Sequence, residues 1–363
     1  MADALSLRSA VSATTAPTGT PPGHWKRRAW LLTTVGLTVT AFTATVILAP
    51  PGSAAPVPSL AWLLFLGSSV HVASTGWLFT LPEVRGHATD HPTRYIAIPI
   101  VLIGTTGLIA ASTSPSALEW LLLPFVCWQF FHFQKQNLGL SALAASSYGA
   151  RPLSTTERRA LTGAGSAGIL GLVAHPNLVQ LKIGAGAGAL FPVAGLLFAA
   201  AVVLGLASLL RRPKVERPAG FCAMFVVALL FSLPVFAFGS PYAAVGGMTV
   251  AHGFQYLLLV GLVAAGSRRS ARAFRVALLG NVALIGGALL GEASHLHGSG
   301  SAGRLLFGAY LGAVMAHFVV DGGLWRMRDA FPRALMTASL PYLVAPRPAS
   351  PSSQSADRSS TEL

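Results

Sequence analysis

Apolar runs of about 20 residues recur along the chain and constrain its fold more than any other feature. A helix needs about 20 largely apolar residues to cross the hydrocarbon core of a bilayer. The runs lie at approximately 29–50, 58–80, 94–111, 117–135, 160–180, 187–210, 218–238, 241–266, 272–291 and 302–324. The sequence therefore predicts an all-α, polytopic helical membrane protein with about ten transmembrane helices.

The composition agrees with this fold class. Hydrophobic residues make up 53% of the 363 residues and charged residues only 10%, whereas about a quarter of the residues of a soluble domain are charged. The net charge of +14 would suggest nucleic acid in a soluble protein. Here the bilayer is the expected partner, and no nucleic acid is expected, because the basic residues gather in short loops between the runs.

The placement of those basic residues predicts an orientation. All but two of the 25 Lys and Arg residues fall at the N-terminus, the C-terminus or the loops that follow even-numbered runs. The exceptions are Lys182 and Arg304. Cytoplasmic loops carry the excess of Lys and Arg in membrane proteins, so both termini are predicted to be cytoplasmic, in a multi-pass protein of the cell membrane.

Three regions follow from this division. Residues 1–28 form a basic cytoplasmic tail rich in Ser, Thr, Ala and Pro, which we expect to be disordered. Residues 29–330 form the transmembrane domain. Residues 331–363 form a cytoplasmic C-terminal tail, disordered from about residue 346. Nothing in the sequence bears on the oligomeric state.

Four histidines lie at a similar depth in four of the predicted helices. They are His71, His132, His252 and His317, on runs two, four, eight and ten. With a rise of 1.5 Å per residue, all four lie roughly 16–23 Å from the outer surface. Ionisable groups inside a membrane are costly and mark functional sites by default.

Each of these histidines has a polar residue four positions later. The four are Thr75, Gln136, Tyr256 and Asp321. Residues four apart lie on one face of a helix, and histidines that bind a metal usually donate their second nitrogen to an oxygen. We therefore expect Asp321, Gln136 and Tyr256 to serve the chemistry of the site. Asp321 could accept a hydrogen bond from a ligating histidine, bind the metal directly or carry a proton.

The histidine layer has three interpretations. Imidazole suits iron, copper and zinc, so the four histidines are predicted to ligate iron or another transition metal. The same groups could instead form a proton or substrate pathway, or only hydrogen bonds between helices.

A second histidine pair, His87 and His91, follows run two in the segment PEVRGHATDHP. Its i, i+4 spacing is typical of a helical metal pair, although solvated loop histidines would look the same. The pentapeptide HATDH resembles one histidine box of the membrane desaturases and hydroxylases, whose boxes ligate two irons at the cytoplasmic face. The HxxHH boxes of that family are absent from this sequence, so its residue roles are not carried over.

The layout of the intramembrane layer is similar to that of the bacterial carotene-cleaving membrane dioxygenases, which bind iron through histidines from several spans. The resemblance implies a metal-dependent oxidoreductase or oxygenase acting on a lipophilic small molecule. The alternative is a proton-coupled transporter, in which the histidines and Asp321 form the relay or the substrate site.

The orientation is tested by cysteine labelling in a Cys127→Ala, Cys222→Ala background. Ser270 and Ser299 flank run nine. We therefore expect Ser270→Cys to react with a membrane-impermeant maleimide only after the membrane is permeabilised. Ser299→Cys should react with a membrane-impermeant maleimide on intact cells. Reaction of both from the same side would contradict the ten-helix topology.

Overall fold

The computed structural model describes residues 24–51, 54–183, 188–266 and 269–344, and no strand occurs in these ranges. The first 23 residues and the last 19 lie outside the described residues, and they make up most of the two predicted tails. The first helix begins at His24, within the predicted N-terminal tail. The helices are α1 (His24–Leu48), α2 (Pro58–Phe65), α3 (His71–Leu78), α4 (Pro82–Asp90), α5 (Ile98–Ser112), α6 (Pro115–Ser147), α7 (Thr155–Ala174), α8 (Leu190–Arg211), α9 (Ala219–Leu229), α10 (Leu233–Ala237), α11 (Gly247–Ala265), α12 (Arg269–Ser294), α13 (Ser301–Leu324) and α14 (Ala330–Ser339).

Six helices of the described chain are long and apolar enough to cross a membrane. A seventh span results if the chain from Pro58–Leu78 to Pro82–Asp90, bent by 83°, is one broken span. These seven fall on predicted runs and support a membrane protein. The runs at 117–135, 160–180 and 218–238 lie in α6, α7 and α9–α10, which do not pass the same test, so ten spans stay a prediction.

Helix α6 is the longest of the described helices, with 33 residues. At 1.5 Å per residue it extends about 50 Å, more than the thickness of a bilayer core. Its first half is apolar, with Trp120 and Leu121 exposed. Its second half carries buried polar side chains, among them His132, Gln134 and Asn137, which lower its hydropathy although they face the protein interior.

Glycines allow the helices around the histidines to touch backbone to backbone. A Cβ atom on Gly253 of α11 would lie 2.2 Å from the Gly67 carbonyl oxygen, and one on Gly67 would lie 2.5 Å from the Val250 Cα atom. Gly67 belongs to a π-helical turn, Leu66–Val70, that joins α2 to α3. Such turns are frequent at functional sites. Because His71 follows this turn and His252 precedes Gly253, the contact draws the two histidines together.

The same kind of contact joins α13 to α5. A Cβ atom on Gly308 would lie 2.2 Å from the Thr106 carbonyl oxygen, and one on Gly312 would lie 2.5 Å from the Ile103 Cα atom. Small residues four apart are what close helix packing in membranes requires. This packing holds the helix that carries His317.

A buried ion pair ties the start of α7 to the end of α8. Arg212 donates to both carboxylate oxygens of Glu157, at 2.6 Å each, and to the carbonyl oxygens of Arg151 and Pro152. Burial alone would raise the pKa of the Glu157 carboxyl, but the hydrogen bonds from Arg212 and Ser154 hold it below its ordinary value. This junction fixes the α7–α8 pair outside the histidine layer.

We predict that Gly253→Ala lowers the melting temperature of the purified protein. The added methyl group overlaps the Gly67 backbone, and overpacking of this kind costs about 1–3 kcal/mol. Gly261→Ala is the matched control on the same helix, because its Cβ atom would meet no atom within 4 Å. An alanine at an open helical position stabilises by about 0.5–1 kcal/mol. A melting temperature for Gly253→Ala equal to that of Gly261→Ala would contradict the contact.

Candidate metal centre

The four predicted histidines lie together in the interior. The ring centres of His71 and His252 are 5.0 Å apart, as are those of His71 and His317 and of His132 and His252; His132 and His317 are 5.1 Å apart. The four rings thus form a closed square, whose diagonal from His252 to His317 measures 6.5 Å. Neighbouring rings meet at 69–87°, and each side chain is buried.

The Nε2 atoms of all four histidines are buried without a hydrogen-bond partner. A buried polar atom left unpaired costs about 1–3 kcal/mol, and most such atoms in proteins are satisfied. The Nδ1 atoms of His71 and His252 also lack a partner, which makes six unpaired ring nitrogens in one cluster, and this is not an ordinary packing result. A ligand that accepts lone pairs, such as a metal ion, would satisfy one nitrogen of each ring that it binds.

The potential ligand atoms fall into two groups of three. One group contains His71, His252 and His317, and a second contains His132, His317 and Asp321; within each group the ligand atoms lie within 4.8 Å of one another. Ligands bonded to one ion at about 2.1 Å in tetrahedral geometry are about 3.4 Å apart. Side-chain shifts of about 1 Å would therefore bring the three atoms of either group to bonding distance of one ion. Either group could hold a metal ion, and His317 belongs to both.

The carboxylate of Asp321 is oriented by two donors. Its Oδ1 atom accepts a hydrogen bond from the Tyr256 hydroxyl at 2.9 Å and from the Trp325 indole at 3.3 Å. Its Oδ2 atom lies 3.6 Å from Nε2 of His317 and 3.9 Å from Nε2 of His132. Asp321 therefore presents one oxygen to the same space as the unpaired nitrogens, which is the position of a ligand or a proton acceptor.

A chain of hydrogen bonds assigns the tautomer of His317. The Tyr256 hydroxyl donates its one proton to Oδ1 of Asp321, so its oxygen is left as an acceptor. The Tyr256 oxygen then accepts from Thr75 at 2.8 Å, and the Thr75 oxygen accepts from Nδ1–H of His317 at 2.7 Å. With its proton on Nδ1, His317 carries a lone pair on Nε2, as a metal ligand requires.

The polar residues four positions after each histidine make their bonds across helices. Thr75 bonds to His317 rather than to His71, and Tyr256 bonds to Asp321. Gln136 donates to the carbonyl oxygen of His252 at 3.0 Å and to the Gln255 side chain at 2.9 Å. Of the residues predicted to serve the chemistry, Asp321 and Tyr256 face the histidines, while Gln136 braces α6 against α11.

Three aromatic residues of the site were not identified from the sequence. Phe133 stacks on His252 at 4.1 Å, and Phe318 stacks on His132 at 4.4 Å. Each directly follows a histidine in the chain, but each stacks on a histidine of another helix: Phe133 of α6 on His252 of α11, and Phe318 of α13 on His132 of α6. Trp325 is four residues after Asp321, and this spacing was its only sequence signal.

His87 and His91 make a separate pair. Their ring centres are 4.4 Å apart, but His87 stacks on Phe331 at 4.0 Å and its Nε2 atom lies 3.3 Å from the Tyr95 hydroxyl. Partial burial, followed by the neighbouring His91, lowers the pKa of His87 below its ordinary value. Among the described residues, neither histidine joins a group of three potential ligands. The predicted metal role of this pair stays a prediction.

No protein-family model, curated protein or solved structure matches this chain.

We predict that Thr75→Val weakens metal binding about 10–100-fold, the usual loss when an outer partner of a ligating histidine is removed. Valine has no oxygen to accept from Nδ1–H of His317. The measurement is a Co²⁺ titration of the purified protein followed by visible absorption. Thr45→Val is the matched control, because the Thr45 hydroxyl bonds only to carbonyl groups of its own helix α1. Equal affinities for the two variants would contradict the proposed chain.

Proposed function

We propose that this protein is an integral membrane oxidoreductase that binds one iron or copper ion between α3, α6, α11 and α13. The observation that carries the proposal is the cluster of four buried histidines with unpartnered ring nitrogens, which with Asp321 form two groups of three potential ligands that share His317. Imidazole is a preferred ligand of both metals. A hydrogen-bonding role for the histidines would leave those atoms paired with protein groups, and they are not.

The donor set favours a reactive centre over a structural one. His132, His317 and Asp321 form a set of two histidines and one carboxylate, which with open positions is typical of non-haem iron oxygenases. His71, His252 and His317 form a set of three histidines, which is also compatible with an open position for a substrate or water. When bound, the metal would supply the activation of molecular oxygen.

The protein's own residues would hold and move protons at this centre. Asp321 presents Oδ2 to the histidines and keeps Oδ1 bonded to Tyr256, so it can accept a proton on the reactive side. Thr75 and Tyr256 connect it to Nδ1 of His317. Phe133 and Phe318 cover two of the rings and exclude water from their faces.

The substrate class follows from the surroundings. Two of the four helices that carry the histidines, α11 and α13, belong to candidate membrane spans, and α3 belongs to a third if the bent segment from Pro58 to Asp90 is one span. A water-soluble substrate would have to leave water to reach them, whereas a lipophilic one already dissolves in the bilayer. We accordingly propose a lipophilic small-molecule substrate and, from the placement of the basic residues, a multi-pass protein of the cell membrane with both termini cytoplasmic.

A proton-coupled transporter is the second candidate. The chain from His317 through Thr75 and Tyr256 to Asp321 favours it, because connected ionisable groups within a membrane are typical of proton relays. In this alternative the same histidines bind protons or substrate and need no metal. Metal content therefore discriminates between the two functions.

We expect detergent-purified protein to contain iron or copper at about one ion per chain by elemental analysis. His317→Ala should lose the metal, because His317 belongs to both groups of potential ligands. His132→Ala should lose it as well if the ion is held by the group of His132, His317 and Asp321. His175→Ala is the control, since His175 is exposed and contacts Phe191 outside the site. A metal-free wild type whose melting temperature does not change with added iron, copper or zinc would contradict the enzyme and favour the transporter.

A further inference from the structure

An apolar cavity of about 220 Å³ lies between α5, α6 and α13. At its edges the side chains of Ile109, Leu121 and Trp128 are exposed, so it opens sideways toward the surroundings of the helices. Its wall also includes Ala110 of α5, Leu118 and Phe125 of α6, and Leu311 and Met315 of α13.

One face of α6 connects the cavity to the candidate metal centre. Leu118, Leu121, Phe125 and Trp128 line the cavity and follow one another at intervals of three and four residues, which places them on one helix face. His132 is the next residue of the same series. The stripe from Leu118 to His132 covers 14 residue steps, or about 21 Å along the helix.

Two aromatic rings separate the inner end of the cavity from the histidine. The ring centres of Trp128, in the cavity wall, and Phe318 are 5.7 Å apart, and Phe318 stacks on His132 with a distance of 4.4 Å between ring centres. On α13, Leu311, Met315 and Phe318 also repeat at intervals of four and three, so the second wall leads to the same ring. The cavity therefore points at the His132 side of the centre.

The lining offers almost nothing for a polar ligand to bind. Thr106 carries its only hydroxyl group, and that oxygen lies 2.5 Å from the Leu102 carbonyl oxygen and 2.8 Å from the Gly308 carbonyl oxygen. Its proton is thus committed to the backbone. A hydrocarbon chain that enters from the bilayer leaves no water behind, so it would be held in this cavity mainly by van der Waals contacts with the apolar wall.

We propose that the cavity binds the hydrocarbon chain of the substrate, which enters sideways from the bilayer and lies along α6 with its reacting end at Phe318 and His132. The inference rests on the proposed oxidoreductase function and narrows its substrate to a lipid with an extended chain, such as an acyl or isoprenoid chain. On α6 the cavity is lined from Leu118 to Trp128, which is 10 residue steps or about 15 Å, and this length bounds the extended part of the chain that the cavity accommodates.

The test uses the full-length protein in nanodiscs and a long-chain fatty acid that carries a diazirine at its terminal carbon. After irradiation, labelled residues are mapped by mass spectrometry. We expect labelling at Ala110, Leu118 and Leu311, which line the cavity but are at most 8% exposed. A chain that stays in the surrounding bilayer would label only exposed positions such as Leu108, and that result would overturn the proposal.

A blocking variant makes the test specific to the cavity. Met315→Trp should abolish labelling of Leu118 and Leu311, whereas Leu289→Trp, at an exposed position of α12, should not. Labelling of Leu118 and Leu311 that persists in monodisperse Met315→Trp would contradict the proposal. If Met315→Trp does not fold, Leu121→Trp, at the open edge of the cavity, takes its place.

Metal content measured on the same samples separates the two proposals. Labelled protein without metal would overturn the oxidoreductase and leave the chain-binding cavity standing. Protein with metal but without labelling of the buried positions would overturn the cavity alone.

Discussion

An imidazole buried among apolar helices has no water to bond with, so each of its nitrogens pairs with another protein group or stays unpaired at a cost in free energy. Around this centre nearby oxygens find partners: Thr75, Tyr256 and Asp321 bond to one another and to Nδ1 of His317. The Nε2 atoms of the four histidines do not. The surrounding bonds therefore orient Asp321 and His317 beside ring nitrogens that could bind a metal ion.

Close helix packing is what brings these groups within reach. Gly67 and Gly253 let the turn before His71 touch the helix that carries His252, and Gly308 and Gly312 seat α13 against α5. The same packing divides the surroundings of the centre in two. On the His317 side lies the hydrogen-bonded chain, and on the His132 side lie Phe318 and the apolar cavity. A hydrocarbon chain and a proton could thus reach one centre by different routes.

The sequence predicted the members of the cluster better than their partners. Counting residues from the ends of the apolar runs assigned four histidines to one depth, since depth depends only on helical rise. The spacing of four residues suggested that Thr75 serves His71 and that Asp321 serves His317. Thr75 instead bonds to His317, because a neighbouring helix in close contact offers a partner as near as the next turn of the same helix. The cavity had no sequence signal, since its wall is composed of ordinary apolar residues.

By itself the sequence determined that the chain is helical and apolar enough for a membrane, and that histidines and one carboxylate occur at matching positions in several helices. These properties follow from composition and from periodicity along one helix. Only the tertiary structure decided that the histidines face one another, that Thr75 and Tyr256 set the proton of His317, and that Phe318 stands between His132 and a cavity. These properties depend on how each helix is rotated about its own axis and how closely it approaches its neighbours, which packing between distant parts of the chain decides.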